Sequence, residues 1–421
     1  MIDIAALRRT PALLKLDLYC RGLRLAASCL DEDGGGGRGI MRTRAGLGSG
    51  LEAVLPGGLW TNIPVVEPFA RSSPYELRRR DGTYELWRDD AFVAPIALSP
   101  RPSWYDARTR SGKPMTRVGT LQGTYLAVYP AKVCDFWVRE PVRTNCHFCS
   151  VGLNLGVDDA TDKSVDEVLE VVRAARQHSG ITYVDFNTGH YDGDTYLDIL
   201  EPYIRRIKRE CRLLVGVQTP PHHDLRRYDA LRAMGVNRVS FCFEVYDPAR
   251  FREVCPGKHD AYGLTRYLDA VRYCASLAGK GPAGEPWVTN GEIIAGLEPP
   301  ESSIAAIDWL TSVGAIPTVC VFRPLRGTDY EDEPPPDTEA MIPVFRRLYE
   351  ACMERGLPIG CAPNVHVSLV LLPEECAGLS DRRFPVQRLK LAAMKRAFGA
   401  QFAWRTARSC AVPAADTAPI G

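Results

Sequence analysis

The sequence predicts an α/β protein, a partial or full TIM-type barrel of six to eight β/α units behind a small accessory α+β region at the N-terminus. Three observations predict it. From Gly123 onward, short β-rich apolar runs alternate with amphipathic helical stretches, the pattern of parallel strands joined by helical crossovers. Before that point the texture differs: alternating pieces such as YELWRD and AFVAPIAL, bounded by Gly, Pro and Asp clusters between about 51 and 118, suit a small antiparallel sheet. Finally, 421 residues of which 45% are hydrophobic and 24% charged can bury the cores of two or three structural units.

The elements follow in order. Apolar positions from 4 to about 30 recur at helical spacing, and the glycine run at 34–37 closes that segment. No P-loop Lys-Ser/Thr follows the run, so it reads as a surface loop rather than a phosphate cradle. Residues 1–120 make up the accessory region, which holds no cluster of titratable groups assignable to chemistry. The barrel occupies 121–380, with candidate strands TYLAVYP, ITYVDFNT, LLVGVQT, NRVSFCFEV, GEIIAGLE and PTVCVFRP. Between them lie the helical stretches VDEVLEVVRAARQH, TYLDILEPYIRRIKRE, DLRRYDALRAMG, AYGLTRYLDAVRYCASLAG and ESSIAAIDWLTSVG, the last entered through Pro-Pro-Glu-Ser. Six strands with right-handed crossovers form an open barrel, and LPIGCAP and HVSLVLLP, after the helix MIPVFRRLYEACMERG, are candidates for a seventh and eighth. The tail, 381–421, is Arg-rich and then Ala- and Pro-rich, and is expected to fray.

Lys plus Arg number 52 against 51 Asp plus Glu, which gives no broad field to draw in nucleic acid or an anionic membrane. A small-molecule partner is expected instead. The apolar stretches near the start are short and broken by Arg and Lys, unlike a signal core or a spanning helix. Fourteen scattered cysteines suit a reducing compartment, so the expected location is the cytoplasm.

Chemistry concentrates in AKVCDFWVREPVRTNCHFCSVGLNLG, directly after the first barrel strand. Cys134, Cys146 and Cys149 share this loop, the last two as C-x-x-C, and three thiolates on one loop can attach a cube of iron and sulfide at three corners. Unless His147 is a fourth ligand, one iron stays open, as catalytic metal sites keep an open position. The alternative is a structural zinc site on the same cysteines, with His147 or a distant residue completing it.

These residues resemble the radical S-adenosylmethionine superfamily, whose common motif is C-x-x-x-C-x-x-C with an aromatic residue before the last cysteine, here Phe148. The first spacing departs from it, with eleven residues between Cys134 and Cys146. The resemblance implies a [4Fe-4S] cluster held by Cys134, Cys146 and Cys149, S-adenosylmethionine chelated at the open iron, and its cleavage to a 5′-deoxyadenosyl radical. That radical would abstract hydrogen from a substrate held over the barrel mouth, with an electron donor such as flavodoxin or ferredoxin. Phe148 would lie near the adenine. Thr188 and Gly189, in FNTGH, match the turn that meets the methionyl amino group. Glu244 and Arg252, followed by CPGKHDAYG, resemble the biotin synthase and hydrogenase-maturase branch, where polar groups here hold the methionyl carboxylate and the ribose. GEIIAGLE and VCVFRPLRGT look like that branch too; Arg323, by its own chemistry, either grips a substrate or methionyl carboxylate through its planar fork or forms a solvated salt bridge on the barrel rim. The likeness runs over about 125–328, and SPYELRRRDGTYELW, PSWYDARTRSGKPM and GTLQGTYLAVYP look similar to radical S-adenosylmethionine proteins encoded near nitrilases.

Other residues have bland and sharp readings. His190 should face the cluster, whereas His222 and His223 either meet substrate or begin a helix facing water. Arg326 reads as a rim salt bridge. Cys255, Cys361, Cys376 and Cys410 are wide apart and read as buried or incidental thiols, with a second cluster or a relay thiol as the alternative.

Overall fold

The computed structural model describes residues 2–29, 40–42, 49–138, 140–279 and 285–407. The glycine run at 34–37, Cys410 and the end of the tail lie outside the described residues.

The single helical segment expected at the start is two helices. Asp3 caps α1 (Ile4–Arg9), its carboxylate accepting from the Ala6 amide. α2 (Pro11–Arg21) restarts at Pro11, whose missing N–H suits a first helical position. Gly22, at φ 68°, then turns the chain out of the helix. A seven-stranded sheet follows: β1 (Arg24–Leu25), β2 (Ile40–Arg42), β3 (Ser49–Leu55), β4 (Leu59–Ile63), β5 (Tyr75–Arg80), β6 (Thr83–Arg88) and β7 (Ala91–Leu98). Its order is β1-β5-β6-β7-β3-β2 with β4 on β3, and every pairing is antiparallel except β1 with β5.

The second sheet is the barrel. β8 (Thr120–Gln122) pairs antiparallel with β9 (Tyr125–Val128), and β10 (Tyr183–Asn187), β11 (Leu214–Gln218), β12 (Arg238–Glu244), β13 (Val288–Ala295) and β14 (Ile316–Val321) add in sequence order, all parallel. All six expected strands form. Short helices α3 (Asp135–Val138) and α4 (Val151–Asn154) lie in the cysteine loop. The crossovers carry α5 (Val165–Ser179), α6 (Tyr196–Glu210), α7 (Arg227–Ala233), α8 (Pro248–Val254), α9 (Pro256–Ala261), α10 (Gly263–Ser276) and α11 (Pro300–Ser312), and α12 (Thr338–Glu354) follows β14. α5 begins with a full capping box: Ser164 Oγ accepts from the Glu167 amide, and Glu167 accepts from the Ser164 amide.

LPIGCAP and HVSLVLLP form no strands, so the barrel stops at six parallel strands and is partial. Their backbone groups go elsewhere. His366 O accepts from Thr124 N at 3.1 Å, and Ser368 O accepts from Asn62 N at 2.8 Å, so this stretch bridges the β8–β9 hairpin to the N-terminal sheet. The tail is also more ordered than expected: helix formers such as Leu, Lys, Ala, Met and Arg build α13 (Pro385–Ala407).

The N-terminal region shares one hydrophobic core with the barrel, running from Leu14 and Leu16 through Leu77 to Val184, Val215 and Leu348. Charges cross that junction too. Lys15 is fully buried and donates to Glu375 Oε2 at 2.7 Å and to Val367 O at 3.3 Å. Asp17, fully buried on the same helix, accepts from Tyr75 Oη and Thr338 Oγ1, both at 2.6 Å. Among the described residues, no helix is long and apolar enough to cross a membrane.

Removing one partner of a buried ion pair strands the other charge. Lys15→Met should therefore cost about 3 kcal/mol in thermal or denaturant unfolding. Lys15→Met combined with Glu375→Gln should recover most of that loss. Absence of recovery would show that the pair does not tie helix α2 to the barrel.

Candidate active site

Parallel strands of a β/α barrel present their carboxyl ends on one face, and the loop after β9 lies there. Cys134 precedes α3, and Cys146 and Cys149 follow its turn. All three border one pocket of about 120 Å³, together with Phe148, Thr188, Gly189, His190, Glu244 and Lys258. The turn after β10, the end of β12 and helix α9 thus meet at the cysteine loop.

The long first spacing has a physical account. Its extra residues form α3 and a return turn, whose Phe136 and Trp137 are buried. Phe136 stacks on the His190 ring at 4.3 Å and 8°. Backbone bonds pin the loop on two sides: Asp135 N to His190 O at 2.9 Å, His147 N to Val254 O at 3.0 Å, and Gly257 N to Thr144 O at 2.9 Å. A small apolar cluster of Tyr129, Trp137, Val151 and Leu155 fills the space beneath. Close approach also demands glycine at 189, because a Cβ there would lie 2.5 Å from Cys134 Cβ and 2.8 Å from Tyr129 Oη.

Electrostatics distinguish the three thiols. Burial pushes Cys134 up to about 11 and Cys149 up to about 12. Cys146 is held below the usual thiol range, first by the adjacent Cys255 thiol, with Lys258 also helping against the opposing effect of burial. Opposite them, Glu244 sits at φ 67°, in the left-handed region that a non-glycine residue seldom adopts, at a register shift between Cys242 and Glu244. Lys258 Nζ donates to Glu244 Oε1 at 2.8 Å and to Cys242 O at 2.6 Å. Burial raises Glu244 above the ordinary carboxylate range despite Lys258. Burial likewise works against the charge on Lys258, but Glu244 and Cys146 outweigh it and hold its pKa high.

The donor set, three soft sulfurs bordering one pocket, is of the kind that holds an iron–sulfur cluster. His147, the candidate fourth ligand, packs edge-on against Tyr330 at 5.2 Å and does not border the pocket. Thr188 Oγ1 is buried there with no hydrogen-bond partner among the described residues, an arrangement that suits a polar ligand.

Two expected cofactor-binding residues lie elsewhere. Arg252 is exposed on α8, where its Nε donates to His259 Nε2 at 3.2 Å. Arg323 is buried but turned toward the N-terminal region, where it donates to Asn62 O at 2.6 Å and Oδ1 at 3.2 Å and lies 4.9 Å over the Tyr19 ring. A folded N-terminal sheet supplies these partners, which the spacing along the barrel strands does not reveal. Of the other candidates, His190 borders the pocket and donates to or accepts from Tyr262 Oη at 2.5 Å. His223 faces Asp194 and Arg326 is exposed, both away from it. Sequence reasoning missed Lys258, which sits inside the quoted CPGKHDAYG, and the contact of Cys255 with Cys146.

Residues 143–291 match the family model described as "Radical SAM superfamily", a range that takes in Cys146 and Cys149 and begins after Cys134. The bacteriochlorophyllide c C-7(1)-hydroxylase of Chlorobaculum limnaeum is 30% identical over 128 residues, 30% of this chain and 31% of that protein. The matched part thus spans about a third of that relative's length. Among solved structures, methylornithine synthase (PylB) is similar with a TM-score of 0.41 at 15% identity, covering 71% of this chain and 94% of the other. HydG, a maturase of the [FeFe]-hydrogenase, is similar with a TM-score of 0.40 at 13% identity, covering 64% of this chain and 54% of the other. The matched range, 143–291, holds the C-x-x-C pair and the parallel strands β10, β11 and β12 of the partial barrel, and over it the chain is similar to the radical SAM superfamily.

Proposed function

We propose that this chain is a radical S-adenosylmethionine enzyme acting on a small-molecule substrate, with Cys134, Cys146 and Cys149 as the thiolate ligands of a [4Fe-4S] cluster. The observation that carries the reading is the convergence of these three thiols on one pocket at the carboxyl ends of the strands. A cluster held by these cysteines would supply one electron for the cleavage of S-adenosylmethionine to methionine and a 5′-deoxyadenosyl radical, which would take a hydrogen atom from the substrate. A small protein donor such as flavodoxin or ferredoxin would supply that electron.

The chain's own residues bind and orient. Phe148 offers a buried ring to the adenine. Thr188 offers its unpartnered hydroxyl to the methionyl end, and Gly189 keeps the turn close to Cys134. Glu244, fixed through one oxygen by Lys258, accepts hydrogen bonds from ribose hydroxyls through the other. The buried aromatic side chains under the cysteine loop exclude water from the ligand sulfurs.

The test is anaerobic reconstitution with iron and sulfide, then dithionite and S-adenosylmethionine, with 5′-deoxyadenosine measured. Product should form in the parent protein and fall to background in Cys134→Ala and in Cys146→Ala/Cys149→Ala. Zinc without iron or sulfide in the purified protein would overturn the reading. An intact cluster that binds S-adenosylmethionine without cleaving it, even with substrate candidates present, would point to a carrier.

A second prediction concerns packing. Gly189→Ala should displace the cysteine loop at a cost of about 1–3 kcal/mol, the range for an overpacked site. Iron bound per chain after reconstitution should drop clearly. Full iron loading in this variant would show that the close approach of the β10 turn does not shape the site.

A further inference from the structure

Helix α13 (Pro385–Ala407) meets the rest of the fold along one side only. Phe402 is buried there, and Leu391 and Phe398 are partly buried against the hydrophobic core. At 3.6 residues per turn the positions opposite that side are 386, 389, 393, 397, 400 and 404, a row about five turns long. They hold Val386, Leu389, Ala393, Ala397, Ala400 and Trp404, all exposed, with Leu389 at 74%, Trp404 at 61% and Val386 at 58%. Of the nine large apolar side chains exposed among the described residues, four are on this one helix, these three and Met394. The outer face of a surface helix ordinarily carries polar groups, so a continuous apolar stripe facing water marks a surface made to be covered.

Charge identifies what covers it. Residues 382–407 hold seven Lys and Arg and no Asp or Glu. The rest of the chain then carries 45 basic against 51 acidic side chains, so the near-neutral total conceals a basic segment on an otherwise acidic chain. Lys390 and Arg396, both exposed, lie about 60° to either side of the stripe by the 100° step of the helix. Acidic side chains that reach the segment are taken up near its ends, where Arg405 pairs with Glu285 at 2.5 Å and Arg382 with Glu350 at 3.7 Å. Among the described residues, Lys390 and Arg396 have no ion-pair partner.

The shape narrows the choice further. Three alanines make the stripe shallow, and the far side of the helix is already packed on the fold, so a groove that wraps a helix cannot engage it while a flat surface can. A second copy would set the basic flanks against each other, and a nucleic acid would leave Val386 and Leu389 in water. An anionic bilayer satisfies both features: its acyl boundary takes the stripe, its headgroups take the flanking cations, and a tryptophan such as Trp404 suits the level between them.

We propose that α13 docks this protein flat on an anionic lipid bilayer, with the stripe from Val386 to Trp404 at the acyl boundary and Lys390 and Arg396 against lipid phosphates. The helix lies on the membrane and does not cross it. Docking depends on no property of the cysteine pocket.

The test is co-sedimentation of the full purified chain with vesicles of pure phosphatidylcholine and of phosphatidylcholine containing a third phosphatidylglycerol. The parent should bind the anionic vesicles and stay in solution with the neutral ones. Lys390→Gln/Arg396→Gln should weaken binding roughly twentyfold, at about fivefold for each cation near the surface. Val386→Ser/Leu389→Ser, which keeps every charge, should weaken it roughly tenfold by removing the inserted side chains. All four positions are exposed, so neither variant should shift thermal unfolding. No binding to the anionic vesicles, equal binding to the neutral ones, or undiminished binding in either variant would overturn the proposal. A parent that self-associates without lipid and becomes monomeric in Val386→Ser/Leu389→Ser would also overturn it, and would give the stripe to a second copy. 5′-Deoxyadenosine formation without lipid should be equal in the parent and both variants, so a failure of the enzyme reading is read separately from a failure of docking.

Discussion

Six parallel strands do not close into a cylinder, and the open side must be covered or its edges stay available for pairing with another chain. This constraint organises the rest of the molecule. The cover is the segment 358–374, whose carbonyls at His366 and Ser368 are bonded to Thr124 and Asn62, and behind it stand α2 and the N-terminal sheet. Lys15 reaches through to Glu375, and Arg323 reaches back from the end of the sixth parallel strand to Asn62. The N-terminal region is therefore the wall that the open barrel lacks, and it shares the barrel's core.

An open barrel also has a roomier interior than a filled one, and the inward-facing residues decide how that room is divided. Asp185, Arg238 and Glu292 come from three different strands and meet across the interior. A guanidinium lining an enclosed space is tolerable only when carboxylates meet it, and the pairing fixes all three side chains in one arrangement. Their level closes the cysteine pocket from below and separates it from a largely apolar chamber of about 510 Å³.

Much of this was legible in the chain itself. Alternation of β-rich runs with amphipathic stretches located all six parallel strands, because side-chain periodicity follows from local geometry and from which face is buried. Phe148 and the three cysteines were legible for the same local reason, since they share one loop. LPIGCAP and HVSLVLLP were misread: they are apolar enough for strands, but their hydrogen-bonding groups are taken up by loops and by the N-terminal sheet. Where Arg323 turns was not legible, because its partners, Asn62 and Tyr19, lie more than 250 residues away in sequence. Lys258 was overlooked because nothing in CPGKHDAYG marks which residue turns inward until α9 is placed against β12.

By itself the sequence determined the element order, the parallel β/α architecture and a single loop rich in thiols, all of which depend on neighbours in the chain. Only the tertiary structure decided that Gly189 must lack a side chain, that Lys258 meets Glu244, and that Arg238 is shared by Asp185 and Glu292. Those facts depend on which surfaces meet when strands distant in sequence are brought together, and burial, unpaired donors and shared charges exist only after that meeting.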